Sequence, residues 1–175
     1  MIVRPETDAD RQAIDRVVRE AFGSDAEPLL VERIRSSGLY EPELAMVAEH
    51  EGEVVGHVMI SGATLQSDDG DHPIVMLSPL AVDPAQQGIG IGGALVREVT
   101  RRAGELGHPF VVLEGSPRYY ARLGFEPASR YGVVMPLPDW APPEAAQLLP
   151  LAGFSPSAVH GGGRVVYPPA FDGVE

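Results

Sequence analysis

The chain has 175 residues, a formal charge of −12, no cysteine, and arginine as its only strongly basic residue, since lysine is absent. That length suits one domain with a substantial core. The missing cysteines exclude disulfides and thiolate nucleophiles, the missing lysines exclude Schiff-base chemistry and a Walker-type phosphate loop, and the acidity argues against nonspecific nucleic-acid binding. "MIVRPETDADR" has no apolar signal core and no apolar run reaches membrane-spanning length, so a soluble, cytoplasmic protein with no membrane partner is expected.

From the N-terminus, Thr7 of "TDAD" offers a cap with an acidic residue three positions on. Ile14, Val17, Val18, Ala21 and Phe22 follow at helical spacing, and Gly23 ends the helix. A second short helix is expected over Leu29 to Ile34, after Pro28. "ELAMVAEH" then predicts a strand, turned at Glu51-Gly52 onto "EVVGHVMISGATL". In that second run Val54, Val58 and Ile60 should share one face, with Val55, His57 and Met59 on the other. "SDDGD" (67–71) marks another turn and "IVMLSPLAV" (74–82) a third strand of an antiparallel meander. Past a glycine-rich stretch, Ile91, Leu95, Val99 and Ala103 form the stripe of a helix closed by Gly107. "FVVL" (110–113) should return parallel to the preceding strand. From Pro127 on, the composition shifts: nine of the 17 prolines and the run Gly161–Gly163 lie there, although Val133, Leu148, Phe154, Val165 and Tyr167 supply packing material. The expected organisation is one domain over 1–175, with a core over 1–130 and an irregular proline-rich extension over 131–175 packed on it.

The glycine-rich stretch, "VDPAQQGIGIGG" (82–93), holds Gly88, Gly90, Gly92 and Gly93. Gly88-x-Gly90-x-x-Gly93 matches the dinucleotide fingerprint literally, with Glu114 ending the next strand where a ribose would lie. Against it, Asp83 to Gln87 separate the strand from the first glycine, and an antiparallel meander precedes the loop. A nicotinamide-dependent oxidoreductase is therefore kept as an alternative.

The spacing Gln87-x-x-Gly90-x-Gly92, just after "LAV" and a proline, resembles the pyrophosphate-binding motif of the GNAT superfamily of N-acetyltransferases. "VRPETDADRQAIDRVVREAF" looks like that superfamily's opening strand and first helix, and "YYARLGF" (119–125) is similar to its second signature. The resemblance covers about Ile2 to Arg130, and "VVYPPAF" in the tail is reminiscent of one bacterial subgroup. It implies a mixed α/β fold: a central, mostly antiparallel sheet with one parallel splayed junction and helices on both faces. It also implies acetyl-CoA as cosubstrate, held at Leu80, Ala81 and Val82, along Gln87, Gly88, Ile89, Gly90, Ile91, Gly92 and Gly93, and at Arg122. No metal is implied. Arg97, Arg101 and Arg102 on the following helix either reach the 3′-phosphate or form a solvated face.

Pro79 lies inside a strand that should be central, where proline is confined to bulges. A bulge there would break the ladder and leave the backbone of Leu80, Ala81 and Val82 unpaired, free to pair with an extended amide-bearing ligand such as pantetheine. A helix beginning near Gly90 would aim its amides at the pyrophosphate, allowing so acidic a chain to bind a polyanion.

The implied reaction is direct attack of an amine on the thioester within a ternary complex. The Leu80 N–H would polarise the carbonyl. Tyr120, four residues before Gly124, falls where the superfamily places its general acid, a phenol that stays protonated at neutral pH. Glu114 is the best candidate for the base, ahead of His57 and Glu49. The five histidines show no close metal-ligand pairing. The acceptor is an unidentified small-molecule or peptide amine, cationic if the overall charge steers it. The protein is expected to be a monomer or homodimer, with a non-catalytic acyl-CoA-binding module as a further alternative.

Overall fold

In the computed structural model, which describes residues 1–174, β1 (Ile2–Pro5) leads into the capping segment. The Thr7 N–H and hydroxyl both donate to Asp10 Oδ2, at 2.8 and 3.0 Å, holding one 3-10 turn over Asp8–Asp10 before α1 (Arg11–Phe22) begins. Arg4 of β1 reaches the same carboxylate at 2.7 Å. Ile14, Val17 and Val18 bury one face of α1, and Gly23, left-handed at φ 64°, closes it with its N–H on the Arg19 carbonyl. α2 spans Ala26–Ser36, so Pro28 stands in its first turn rather than before it. Amides there lack a helical acceptor, so proline removes nothing.

The meander follows as β2 (Tyr40–His50), β3 (Glu53–Ser67) and β4 (Gly70–Val82). Next come α3 (Ile91–Glu105), β5 (Phe110–Glu114), α4 (Pro117–Ala121), β6 (Glu126–Pro127), β7 (Val133–Val134), β8 (Ala146–Pro150) and β9 (Gly163–Val166). The sheet order is β1-β2-β3-β4-β5-β8-β6; β9 lies against β3, and β7 against β9. β4–β5 is parallel, as is the short β7–β9 pairing, and the other pairs are antiparallel. This is the mixed, mostly antiparallel architecture expected. The α3 stripe of Ile91, Leu95, Val99 and Ala103 packs on one face, over Val58, Ile60, Val75 and Val111. On the other face α1 and α2 cover Ala45, Met59 and Ala81. Beside them the C-terminal segment covers Met76, Phe110 and Val112 with Met135, Val159 and Val165. No helix among the described residues is long and apolar enough to cross a membrane.

Three expectations are corrected. In β3, Val54 packs with Met59 under α1, whereas Val55 joins Val58 and Ile60 under α3. The register passes from Ala48↔Gly56 to Glu49↔Val54, so Val55 is an extra residue that inverts the alternation. The segment after Pro127 is not simply irregular, since β8 takes the second edge of β5 and β9 pairs with Thr64–Gln66 of β3. Finally, the bulge at Ser78–Pro79 does not end the β3–β4 ladder, which resumes at Val58↔Leu80. It is β5 that opens the edge, for it pairs with β4 only at Val75↔Val111 and Met76↔Val112.

Candidate active site

The Asp83 N–H donates to the Val55 carbonyl at 2.8 Å. By antiparallel alternation Ala81 is then the residue bonded to β3, and Leu80 and Val82 turn their backbone groups away, into the space from which β5 has diverged. The Val82 carbonyl accepts Gln87 Nε2 at 3.1 Å, so Gln87 fixes the glycine loop to the strand. Asp83 stiffens the same loop by accepting the Ala85 N–H at 2.9 Å.

Gly90 caps α3 with φ 92°, a left-handed conformation that a β-branched residue resists. The first helical bond runs from the Ala94 N–H to the Gly90 carbonyl at 3.1 Å. The amides of Ile91, Gly92 and Gly93 precede it and have no acceptor within the helix, which with the helix dipole favours an anion. A side chain on Gly92 would overlap the Tyr119 hydroxyl.

These parts wall one cavity of about 720 Å³, running from Leu80–Val82 along the loop to Arg97 and Arg122, with Ala21 and Phe22 of α1 opposite. Of the residues expected at the cofactor, all line it except Ile89, which is 65% exposed on the outer side of the loop. The helix arginines divide. Arg101 and Arg102 pair with Glu98, at 2.6 and 3.1 Å, on the outer surface. Arg97 and Arg122 face the cavity and have no carboxylate partner among the described residues; Arg122 lies 5.5 Å over the Tyr119 ring. In a chain of net charge −12, two free guanidiniums beside unpaired amides form a local anion site.

The aromatic pair also divides. Tyr119 lines the cavity beneath the start of α3, and burial raises its hydroxyl's pKa. Tyr120 stands behind it, edge-on to Tyr119 and Phe125, with its ring against Gly115 at the end of β5 and packed on the core. Burial, and secondarily Tyr119, push the Tyr120 pKa well above the ordinary phenol value. Its hydroxyl has no hydrogen-bond partner among the described residues and is not sealed from solvent.

Glu114 is exposed at the end of β5 and accepts a hydrogen bond from the Tyr167 hydroxyl at 2.5 Å. His57 lies away from the cavity. It is fully buried, 3.0 Å from Glu6 Oε1, in a network that Arg35 completes at 2.6 Å from Glu6. Desolvation lowers its pKa. Glu49 is held by Arg4 at 3.0 Å beside β1, also outside the cavity. Sequence reasoning missed Tyr119, the α1 end and Tyr167. Phe22 carried one signal, as the last apolar position of α1; Tyr167 lies in the "VVYPPAF" resemblance, but nothing there pointed to its partner 53 residues away. The view that no histidines pair closely is also corrected, because folding stacks His72 on His160.

A family profile described as an acetyltransferase (GNAT) domain matches residues 2–128. The uncharacterized N-acetyltransferase YhbS of Escherichia coli (strain K12) is 38% identical over 132 residues, 75% of this chain and 77% of the relative. A crystal structure of E. coli YhbS in complex with CoA superposes with a TM-score of 0.86 at 32% identity, covering 99% of this chain and 93% of that one. A GNAT-family acetyltransferase from Brucella melitensis, in complex with acetyl-CoA, gives 0.76 at 29% identity over 98% and 97% of the two chains.

Proposed function

This chain belongs to the GNAT acetyltransferase family, and from that premise we propose that it carries the acetyl group of acetyl-CoA to a primary amine by direct attack, in the cytoplasm and with no metal in the reaction. One observation carries the reading: a single cavity joins the open edge at Leu80–Val82, the unpaired amides of Ile91–Gly93 and the unpartnered Arg97 and Arg122. Those parts match, in order, the amide-bearing arm and the phosphates of a coenzyme A thioester. The complexes of the E. coli and Brucella relatives with CoA and acetyl-CoA support the same ligand.

In this reading the thioester carbonyl accepts from the Leu80 N–H just past the bulge, where a preorganised donor meets the charge that develops on oxygen. The amine nitrogen bonds to the carbonyl carbon, the C–S bond breaks, and the thiolate takes a proton from Tyr120. One observation supports Tyr120 over Tyr119: its ring lies against Gly115, just past the end of β5, whereas the Tyr119 hydroxyl lies under the α3 amides. The proton shed by the acceptor nitrogen passes to Glu114 or to water.

The acceptor is proposed to be a cationic amine, small or peptidic, approaching on the Glu114 side and drawn by the chain's net charge of −12, with the whole chain, as monomer or homodimer, acting as one catalytic unit. The test is thiol release from acetyl-CoA across a panel of polyamines, amino acids, peptides and aminoglycosides. The chain has no cysteine, so a thiol reagent reads only the CoA set free. Amine-dependent release is expected, with kcat/KM falling as salt rises. Tight binding of acetyl-CoA without turnover of any amine would favour the binding-module alternative.

A further inference from the structure

We infer that Asp69, His72 and His160 form a binding site for a divalent transition-metal ion, at the opposite end of β4 from the acetyl-CoA cavity. Asp69 lies in the β3–β4 turn, His72 two residues into β4, and His160 just after the 3-10 turn Pro156–Val159. One potential ligand atom from each lies within 4.8 Å of the others. His72 Nε2 is 2.7 Å from Asp69 Oδ1, and His160 Nδ1 is 3.5 Å from Asp69 Oδ2. The two imidazoles stack with centroids 3.4 Å apart and planes 3° from parallel.

The backbone holds this meeting in place. His160 is left-handed at φ 51°, which is uncommon for a residue with a side chain. After it, Gly163 passes so close to the Gln66 carbonyl of β3 that a Cβ there would overlap it. The Gly163 N–H bonds the Gly132 carbonyl at 3.0 Å, and Gln66↔Arg164 sets the register of β9. The glycine run "HGGG", which the acetyl-transfer site leaves unused, thus seats His160 over the hairpin. Ser67 donates its hydroxyl to Asp69 Oδ1, the oxygen that also faces His72.

Two imidazole nitrogens and one carboxylate oxygen suit zinc, nickel or copper rather than magnesium or calcium. Ligands at about 2.0–2.1 Å from a tetrahedral ion lie roughly 3.3 Å apart, so the rings must swing out of their stack and draw in. Both side chains are partly exposed, at 23% and 34%, and are free to make that motion. Water would fill the fourth position. β4 carries His72 near one end and Leu80 eight residues on, and a strand advances about 3.3 Å per residue, so the ion would sit roughly 25 Å from the thioester. It takes no part in the reaction; it clasps the segment bearing Tyr167 to the central hairpin.

Calorimetry with zinc chloride and nickel chloride on the tag-free, chelator-treated chain tests the site. One ion per chain at micromolar affinity is expected. His72→Ala and His160→Ala should each weaken binding at least tenfold, while His50→Ala, at an unconnected surface position, leaves it unchanged. Zinc should also raise the Tm of the wild type but not of His72→Ala, whose metal-free Tm is expected to match the wild type and so reports on intact folding. Absence of binding below millimolar zinc and nickel would overturn the inference. So would binding, or a zinc-induced rise in Tm, that survives both histidine substitutions.

Discussion

Tyr167, near the end of the chain, donates its hydroxyl to Glu114 at the end of β5, a 2.5 Å bond across 53 residues of sequence. It brings the C-terminal segment to the edge where β4 and β5 part, on the side from which the acceptor is proposed to approach. Burial first, and the Glu114 carboxylate second, raise the Tyr167 pKa above the ordinary phenol value.

Tyr167→Phe keeps the ring and deletes the donor. It should cost about 1 kcal/mol at neutral pH, the usual worth of one such bond. Because the folded pKa is raised, the wild type loses stability as pH climbs past the unfolded value of about 10, where the unfolded chain gives up a proton the folded one keeps. Chemical denaturation at pH 7 and pH 10.5 should find the variant's deficit smaller at the higher pH. On activity, the KM for the amine should rise while acetyl-CoA affinity stays unchanged.

Arg97→Gln and Arg101→Gln separate the cavity face of α3 from its outer face. Arg97 has no carboxylate partner among the described residues, whereas Arg101 is held by Glu98 and Glu105. A charge-assisted bond to a phosphate is worth about 1.5–3 kcal/mol, so Arg97→Gln should weaken acetyl-CoA roughly 10- to 100-fold by calorimetry. Arg101→Gln should leave the affinity unchanged. Arg122→Gln should resemble Arg97→Gln, with some loss of packing on Tyr119.

Patterns that are local in the chain were legible from it. The Gly23 stop, the α3 stripe and the loop from Gln87 to Gly93 each depend on neighbours a few residues apart. What stayed hidden depends on distant partners or on a single inserted residue. Val55 inverts β3 because of a bulge against Ala48 and Glu49, and nothing in "EVVGHVMI" reveals which register β2 takes. β8 has only five residues, ends on Pro150, and becomes a strand because β5 offers it an edge. For the site, the motif found the right turn of α4 but not which tyrosine faces the cavity. That depends on Gly92, whose missing side chain leaves room for the Tyr119 hydroxyl.

Acid should destabilise the protein over two pH ranges. Desolvation holds the His57 pKa below its ordinary value, so between that depressed pKa and about 6.5 the unfolded chain binds a proton the folded one does not. Stability therefore declines as pH drops below about 6.5. The second range comes from Asp10, whose carboxyl is held down to about 2, chiefly by Arg4 and then by Thr7. Its contribution is complete above about pH 4 and lost as pH falls toward 2. Asp10→Asn should cost about 1–2 kcal/mol at pH 7, allowing for the partly exposed guanidinium, and almost nothing at pH 2. Urea denaturation of both proteins across that range measures the difference.

The central claim is that the thioester lies where β4 and β5 part, with Tyr120 rather than Tyr119 giving its proton to the departing thiolate. Steady-state thiol release by Tyr120→Phe and Tyr119→Phe, with the best amine of the panel, tests it most directly. A general acid contributes about 10²–10⁴ in rate, or roughly 3–5 kcal/mol of barrier. Tyr120→Phe should therefore lose that much in kcat with its KM for acetyl-CoA unchanged, while Tyr119→Phe should raise that KM and keep most of kcat. A near-wild-type kcat for Tyr120→Phe, or a larger kcat loss in Tyr119→Phe, would contradict it.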